Sequence, residues 1–240
     1  MTRVTTGGSR RARPGLRDPL RFTPEYSATH RLGDGTKVRL RLLRPEDRAW
    51  LLAGFERLSP ESRYLRFFSA MPHLPEKTLR RLLSVDGWNH LAIAAEAPTS
   101  DPAKAESYGV ARFIRLHETP EIAEASVAVV DHMQHRGLGK LLLSVLAAAA
   151  KERGITRFRA EVLRTNEAMN ALLREIDHDA RPALEGPVAI YQLTLPEPSA
   201  DEAMSGPLFG LLRLAAGGLQ VLLRRLDRAP LRRSATSRTS

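Results

Sequence analysis

The chain has 240 residues with 42% hydrophobic content, enough for one sizeable core, and no cysteine, which excludes disulfides and thiolate metal sites and fits a reducing, cytoplasmic setting. Its formal charge of +10 is confined to the ends: residues 1–22 carry six arginines against one aspartate and residues 206–240 seven against one, which leaves the body near −1. That distribution argues against specific nucleic-acid binding by the body, and the arginine-bearing N-terminus lacks the apolar run of a secretory signal.

Residues 1–25, rich in Arg, Gly, Pro and Thr without apolar periodicity, read as a disordered basic arm, and the globular domain is expected over 26–198. Residues 36–43, TKVRLRLL, alternate Val38, Leu40 and Leu42 with Arg39 and Arg41, the pattern of a half-buried strand after a GDG turn. The next segment places Pro45 at a first helical position and spaces Trp50, Leu51, Phe55 and Leu58 as a helical stripe. SPESRYLRFF and PEKTLRRLLSV predict two short helices, and residues 90–96 and 108–116 predict strands.

Residues 124–131, EASVAVVD, predict a strand that runs into QHRGLG and then a long Ala/Leu helix. Residues 157–163 alternate as a strand, TNEAMNALLREI opens on Thr165 or Asn166 as a helix cap, and residues 188–195 form a last strand. The order is that of a mixed α/β sheet of six to seven strands flanked by helices.

The segment 199–240 reads as a linker followed by a basic amphipathic helix and a disordered end. Leu208, Leu212, Ala215, Leu219, Leu222 and Leu226 make one stripe, with Arg213, Gln220 and Arg224 opposite. Arg213 and the Gly217-Gly218 pair argue against a spanning helix. Packing on its own domain or on a second copy, peripheral contact with an anionic membrane through residues 206–228, and a partner protein are the readings left open.

The junction at 134–140 carries the chemistry. A strand that ends at a glycine loop and feeds a helix offers unpaired backbone N–H groups at the positive end of the helix dipole, a place suited to phosphate. Gly137 and Gly139 allow close approach, and Arg136 and Lys140 add charge. The same glycines would serve a plain turn. Neither the Walker A spacing nor G-x-G-x-x-G is present. His132 and His135 lack a third ligand pattern, so no metal is expected.

Gln134-His135-Arg136-Gly137-Leu138-Gly139, between an apolar strand and a long helix, resembles the acyl-CoA pyrophosphate loop of the GNAT N-acetyltransferases. AEASVAVVDHMQHRGLGKLL, VLRTNEAMNALLREI and DGTKVRLRLLRPEDRAWLLAGFERLSPESRYLRFFS extend the likeness from Arg31 to about Leu195, the last resembling bacterial Pat-type protein lysine acetyltransferases. The resemblance implies acetyl-CoA as donor. Its pantetheine arm would pair with the backbone of Val129, Val130 and Asp131, and its pyrophosphate would lie on the loop of Gln134, His135, Arg136, Gly137, Leu138, Gly139 and Lys140, with Asn166 on the cofactor side. It also implies Glu124 as general base, with Glu121 the near alternative. Leu173 stands where many relatives carry a general-acid tyrosine, and Asp177-His178 replaces the usual Gly-Phe. The implied acceptor is a primary amine, a protein lysine or a small molecule; a non-catalytic acyl-CoA-binding module is the alternative of another class.

Overall fold

The computed structural model describes residues 20–101 and 104–195. Eight strands form one sheet in the order β1-β2-β3-β4-β5-β6-β8-β7. Alternation makes β2 (Lys37–Leu42) a half-buried strand: Val38, Leu40 and Leu42 are buried, while Lys37 stays exposed and Arg39 and Arg41 half-covered. β3 (His90–Glu96) is buried along its whole length, so it reads as a continuous apolar run. β4 (Ser107–Arg115) and β5 (Ile122–Val129) continue the antiparallel series.

After β5, a 3-10 turn at Asp131–Met133 leads into α4 (Leu138–Glu152), the crossover to β6 (Arg157–Leu163), which pairs parallel to β5. Leu142, Leu146, Ala149 and Ala150 of α4 are buried, as are Ala111, Phe113 and Ala123 of the sheet. On the other face α1 (Arg48–Glu56), α2 (Pro60–Phe67) and α3 (Glu76–Leu83) follow one another. There Leu43, Ala92 and Ala94 pack with Trp50, Leu83 and Val110. α1 approaches β4 closely at Gly54, where an added Cβ would stand 2.5 Å from Ser107 Oγ. α5 (Glu167–Ile176) precedes a hairpin of β7 (Ala183–Glu185) and β8 (Val188–Thr194).

Eight described strands exceed the six or seven expected, and two of them, β1 (Ser27–Arg31) and β7, are not among the segments the sequence marks as strands. β1 pairs with β2 from Ser27↔Arg41 to Arg31↔Lys37, yet buries only His30 and so shows no alternation of apolar residues. β7 is exposed throughout and is held by its hairpin partner. Pro45 lies before α1 and not inside it. The Asp47 carboxylate instead accepts the Arg44 N–H at 2.7 Å and the Arg41 guanidinium at 2.6 and 3.0 Å, closing a turn.

Residues 20–25, assigned from composition to the arm, pack on the domain. Phe22 is 2% exposed, its N–H and that of Arg21 meet the Glu152 carboxylate at 3.2 Å, and Arg153 donates to the Phe22 carbonyl at 2.7 Å. One aromatic pair, Phe22 with Tyr26, leaves no periodicity to read. A second compact unit, Thr194–Ser240, is described only at Thr194 and Leu195. The amphipathic stripe at 206–228 and residues 1–19 lie outside the described residues. No helix among the described residues is long and apolar enough to cross a membrane.

At the head of β3, His90 Nδ1 lies 3.0 Å from the Ser84 carbonyl and Nε2 lies 3.0 Å from Arg112 Nη1. A carbonyl only accepts and a guanidinium only donates, so the network assigns the neutral Nδ1–H tautomer. Burial first, and the Arg112 charge second, push the imidazole pKa down to about 4. A depressed folded pKa means that the unfolded chain takes up the proton first. Stability is therefore full above about pH 6.5 and falls as pH drops toward 4, by about 2 kcal/mol at pH 5. Denaturant titrations of wild type and His90→Gln from pH 7 to 5 check this: the variant should show the flatter slope, and equal slopes would remove the assignment.

Candidate functional site

β5 and β6 pair only at Ile122↔Arg157, Ala123↔Phe158 and Glu124↔Arg159. Past that point the parallel strands separate, and the β5 edge from Ala125 to Val129 has no strand beside it. The Val130 N–H bonds back to the Tyr108 carbonyl at 3.0 Å. Strand alternation therefore turns the N–H and C=O groups of Ala125, Val127 and Val129 toward the open edge. The opening widens into a cleft of about 890 Å³ walled by β5, β6, α2, α4 and α5, within the range of small-molecule sites.

One end of this cleft is the glycine turn. Gly137 caps α4 with φ +83°, and His135, a residue with a Cβ, also takes a left-handed φ of +58°. A left-handed conformation is costly for a side-chain-bearing residue and here re-aims the chain before the helix. Met133 and Gln134 N–H groups are used inside the preceding turn, whereas no acceptor among the described residues meets the N–H groups of His135 to Lys140. These six donors, three of them in the first turn of a 15-residue helix, form a concave positive end. Gly139 keeps the passage open, since a Cβ there would stand 3.4 Å from Leu172 and 3.9 Å from Val129.

The loop cations are partnered. Arg136 pairs with Asp34 at 3.1 Å, and Lys140 pairs with Glu175 of α5, whose hydrogen bond from Lys140 holds the Glu175 carboxyl below its ordinary pKa. Both pairs are exposed and weak, so either cation can exchange its carboxylate for a phosphate.

Glu124 sits where the two strands part, exposed and in the cleft wall. It shares its sheet face with Ser126, and Ser126 Oγ accepts from Arg66 Nη2 of α2 at 2.8 Å. Burial lowers the Arg66 pKa, and the Glu124 charge opposes that shift. Glu161, also in the wall, is held by Arg159 at 2.7 Å. Glu121 does not line the cleft; it faces Arg157 at 3.7 Å.

Of the residues expected in a cofactor site, Val129, Gln134, His135, Gly137, Gly139, Lys140 and Asn166 line the cleft with Glu124. Val130 and Leu138 are 2% and 1% exposed and belong to the core, and Arg136 points to Asp34. Asp131 turns away from the cleft: its carboxylate accepts the Ser59 N–H at 3.0 Å and the Ser62 hydroxyl at 2.7 Å, tying α2 to the end of β5. Burial raises its pKa, but these hydrogen bonds outweigh it and leave the carboxyl below the ordinary range. The Gln134 amide donates to Ser62 Oγ, the Val129 carbonyl and Asp131 at 3.1 to 3.2 Å, so its side chain braces the loop from within. Asn166 is an N-cap, accepting the Met169 N–H at 3.1 Å.

Asn170 was not marked by the sequence reading. It is 6% exposed, donates to the Leu163 and Asn166 carbonyls at 3.0 and 2.7 Å, and accepts the Tyr191 hydroxyl at 2.8 Å. It thereby fixes α5 against the end of β6 and against β8. Leu173 is buried in the wall, and no tyrosine is among the cleft-lining residues described. α5 ends at Ile176, with Asp177 extended at φ −135° and its carboxylate accepting the Asp179 N–H at 3.1 Å.

The sequence pattern of the acetyltransferase (GNAT) family matches residues 76–177. The GNAT domain of S. lividans PAT superposes with a TM-score of 0.64 at 31% identity, covering 70% of this chain and 97% of that domain. Acetyltransferase Pat of Mycolicibacterium smegmatis is 33% identical over 135 residues, 56% of this chain but 39% of that protein, so the chain spans well under half of its length. An acetyltransferase of Pseudomonas aeruginosa is 28% identical over 141 residues, 59% of this chain and 74% of that protein. The parted strands and the glycine turn fall inside the matched segment, and the S. lividans domain is matched at 31% identity almost end to end; this chain belongs to the GNAT acetyltransferase family.

Proposed function

We propose that this protein transfers the acetyl group of acetyl-CoA to a primary amine, with Glu124 drawing off the amine's proton and a protein lysine as acceptor. One observation carries the reading: the unpaired β5 edge leads without a break from Glu124 to the free N–H groups of the glycine turn. An extended ligand with amide groups can pair with Ala125, Val127 and the Val129 N–H as a strand would, up to the Val129 carbonyl that Gln134 holds, and its phosphates can rest on His135 to Lys140. A thioester at the other end of such a ligand arrives beside Glu124.

The acceptor must present a neutral amine, and a lysine with a pKa of about 10.4 is nearly all ammonium at neutral pH. Glu124, directly or through a water, takes that proton. The amine lone pair forms the new C–N bond, the nitrogen gives its second proton to solvent, the C–S bond breaks, and the thiolate leaves. A β5 backbone N–H can stabilise the charge that develops on the carbonyl oxygen. No phenol is among the described residues that line the cleft, so in this proposal the thiolate leaves without a tyrosine as acid. The protein-lysine reading is supported by the Pat relatives and by exposed Phe68 at the cleft wall.

The test is incubation of the full chain with acetyl-CoA and a panel of lysine-bearing proteins, peptides and small amines, following free thiol and the mass of each acceptor. Thiol release matched by lysine acetylation is the expected result. Release with small amines alone would move the acceptor class, and tight acetyl-CoA binding without turnover on any amine would reject the enzyme reading.

A further inference from the structure

Behind the cleft, on the α1–α3 side of the sheet, lies a second cavity of about 50 Å³. It shares Leu58, Arg66, Phe67 and Ala128 with the cleft as walls. It is mostly apolar but holds two arginines. Arg112 is 4% exposed and donates through Nη1 to the Leu82 carbonyl at 2.8 Å and toward His90; its Nη2 has no hydrogen-bond partner among the described residues. Trp50 Nε1, from a second wall of the cavity, is also buried without a partner. Arg66 completes the set through Ser126, which stands directly across the β4–β5 ladder from Arg112.

The charges do not balance locally. Burial first, and then Arg66 and Arg81 as like charges, bring the Arg112 pKa down to about 9, and its neighbour His90 is neutral. The carboxylates that act on this group are Glu124, toward Arg66, and Asp86, toward His90; neither has a hydrogen bond to Arg112. A buried guanidinium with a free N–H carries an uncompensated desolvation cost, and an anion of the right size removes it. The volume exceeds the roughly 10–15 Å³ that one water needs and suits a carboxylate, whose two oxygens accept several N–H groups at once.

We propose that the cavity bounded by Trp50, Arg66 and Arg112 is a carboxylate-binding subsite beside the acceptor end of the cleft. Ser126, opposite Arg112, is two residues from Glu124 on one strand face, a separation of roughly 7 Å. A carboxylate held there can belong to the acceptor itself, as an acidic group near the reacting amine, or to a free small anion. Assignment to the acceptor rests on the acetyltransferase reading; binding of the carboxylate does not.

The experiment has two arms. In the first, the ¹⁵N-labelled full chain is titrated with formate, following the two tryptophan indole N–H signals, with Trp88→Phe as the assignment control. The Trp50 signal should shift and saturate while exposed Trp88 stays fixed, and Arg112→Gln should abolish the shift. Arg66→Gln, at the half-buried wall, should weaken it and serves if the Arg112 variant fails to fold. A Trp50 signal indifferent to formate in the wild type would overturn the subsite. In the second arm, kcat/KM is compared for lysine peptides carrying a neighbouring Glu or its Gln counterpart. A preference of about tenfold for the acidic peptide that collapses in the arginine variants assigns the carboxylate to the acceptor. Saturable formate binding without that preference assigns the subsite to a free anion.

Discussion

Glu124→Gln lowers kcat for acetyl transfer by about 10²- to 10⁴-fold and leaves the equilibrium affinity for acetyl-CoA within about a factor of two. The glutamine is nearly isosteric and keeps the cleft wall intact, but its amide cannot take a proton from an ammonium. Glu124 is suited to the role by position. It closes the last paired step of β5 and β6, lies exposed in the cleft, and accepts no hydrogen bond among the described residues. Glu161 is committed to Arg159, and Glu121 stands outside the cleft, so neither takes its place. The defect should narrow as pH rises toward about 10, because solvent then supplies neutral lysine without a base. Steady-state kinetics from pH 7 to 10, paired with calorimetric titration of acetyl-CoA, read both quantities. Equal rates for variant and wild type over that range would remove Glu124 as base, and a parallel loss of donor affinity would recast it as a binding residue.

The elements that the sequence disclosed are those whose burial follows a local period. β3 and β6 have the residue bounds that alternation and apolar runs indicate, and α4 follows its Ala/Leu repeat. β1 and β7 bury almost nothing, so only their partners define them. In the candidate site, the glycine loop before α4 was legible because a local motif carries it, while the placing of Glu124 on the same cleft follows from where β5 and β6 part. Asp131 shows the opposite case: the resemblance engages its backbone, whereas its carboxylate finds Ser59 and Ser62, about seventy residues earlier in the chain, partners that no local pattern announces. The Arg66–Ser126–Arg112 group is equally non-local, brought together by α2 docking across two strands. No spacing in the sequence announces which face of a short helix will dock, nor that a cation in a strand will be left without its anion.

Glu96→Ala should destabilise the domain by about 3 kcal/mol, a large share of the 5–15 kcal/mol that holds a typical domain. Glu96 is fully buried and takes Arg39 at 2.6 Å and Arg41 at 3.1 Å; Arg41 continues the chain of charges to Asp47 at 2.6 Å, before α1. Removing the carboxylate leaves two guanidiniums, 21% and 17% exposed, facing a hole in the sheet. Their partial exposure keeps the cost near the low end of the range for breaking buried pairs. Glu96→Gln retains a hydrogen-bond acceptor and should lose about half as much. The damage should also reach the candidate site, because Arg41 stacks 5.4 Å from the ring centre of Trp50, a wall of the arginine-lined cavity. Guanidinium denaturation measures the stability change, and the Trp50 indole signal reports the wall in the folded variant. A midpoint unchanged from wild type would show that the two arginines find solvent without their carboxylate, and an unchanged Trp50 signal would uncouple the network from the acceptor side.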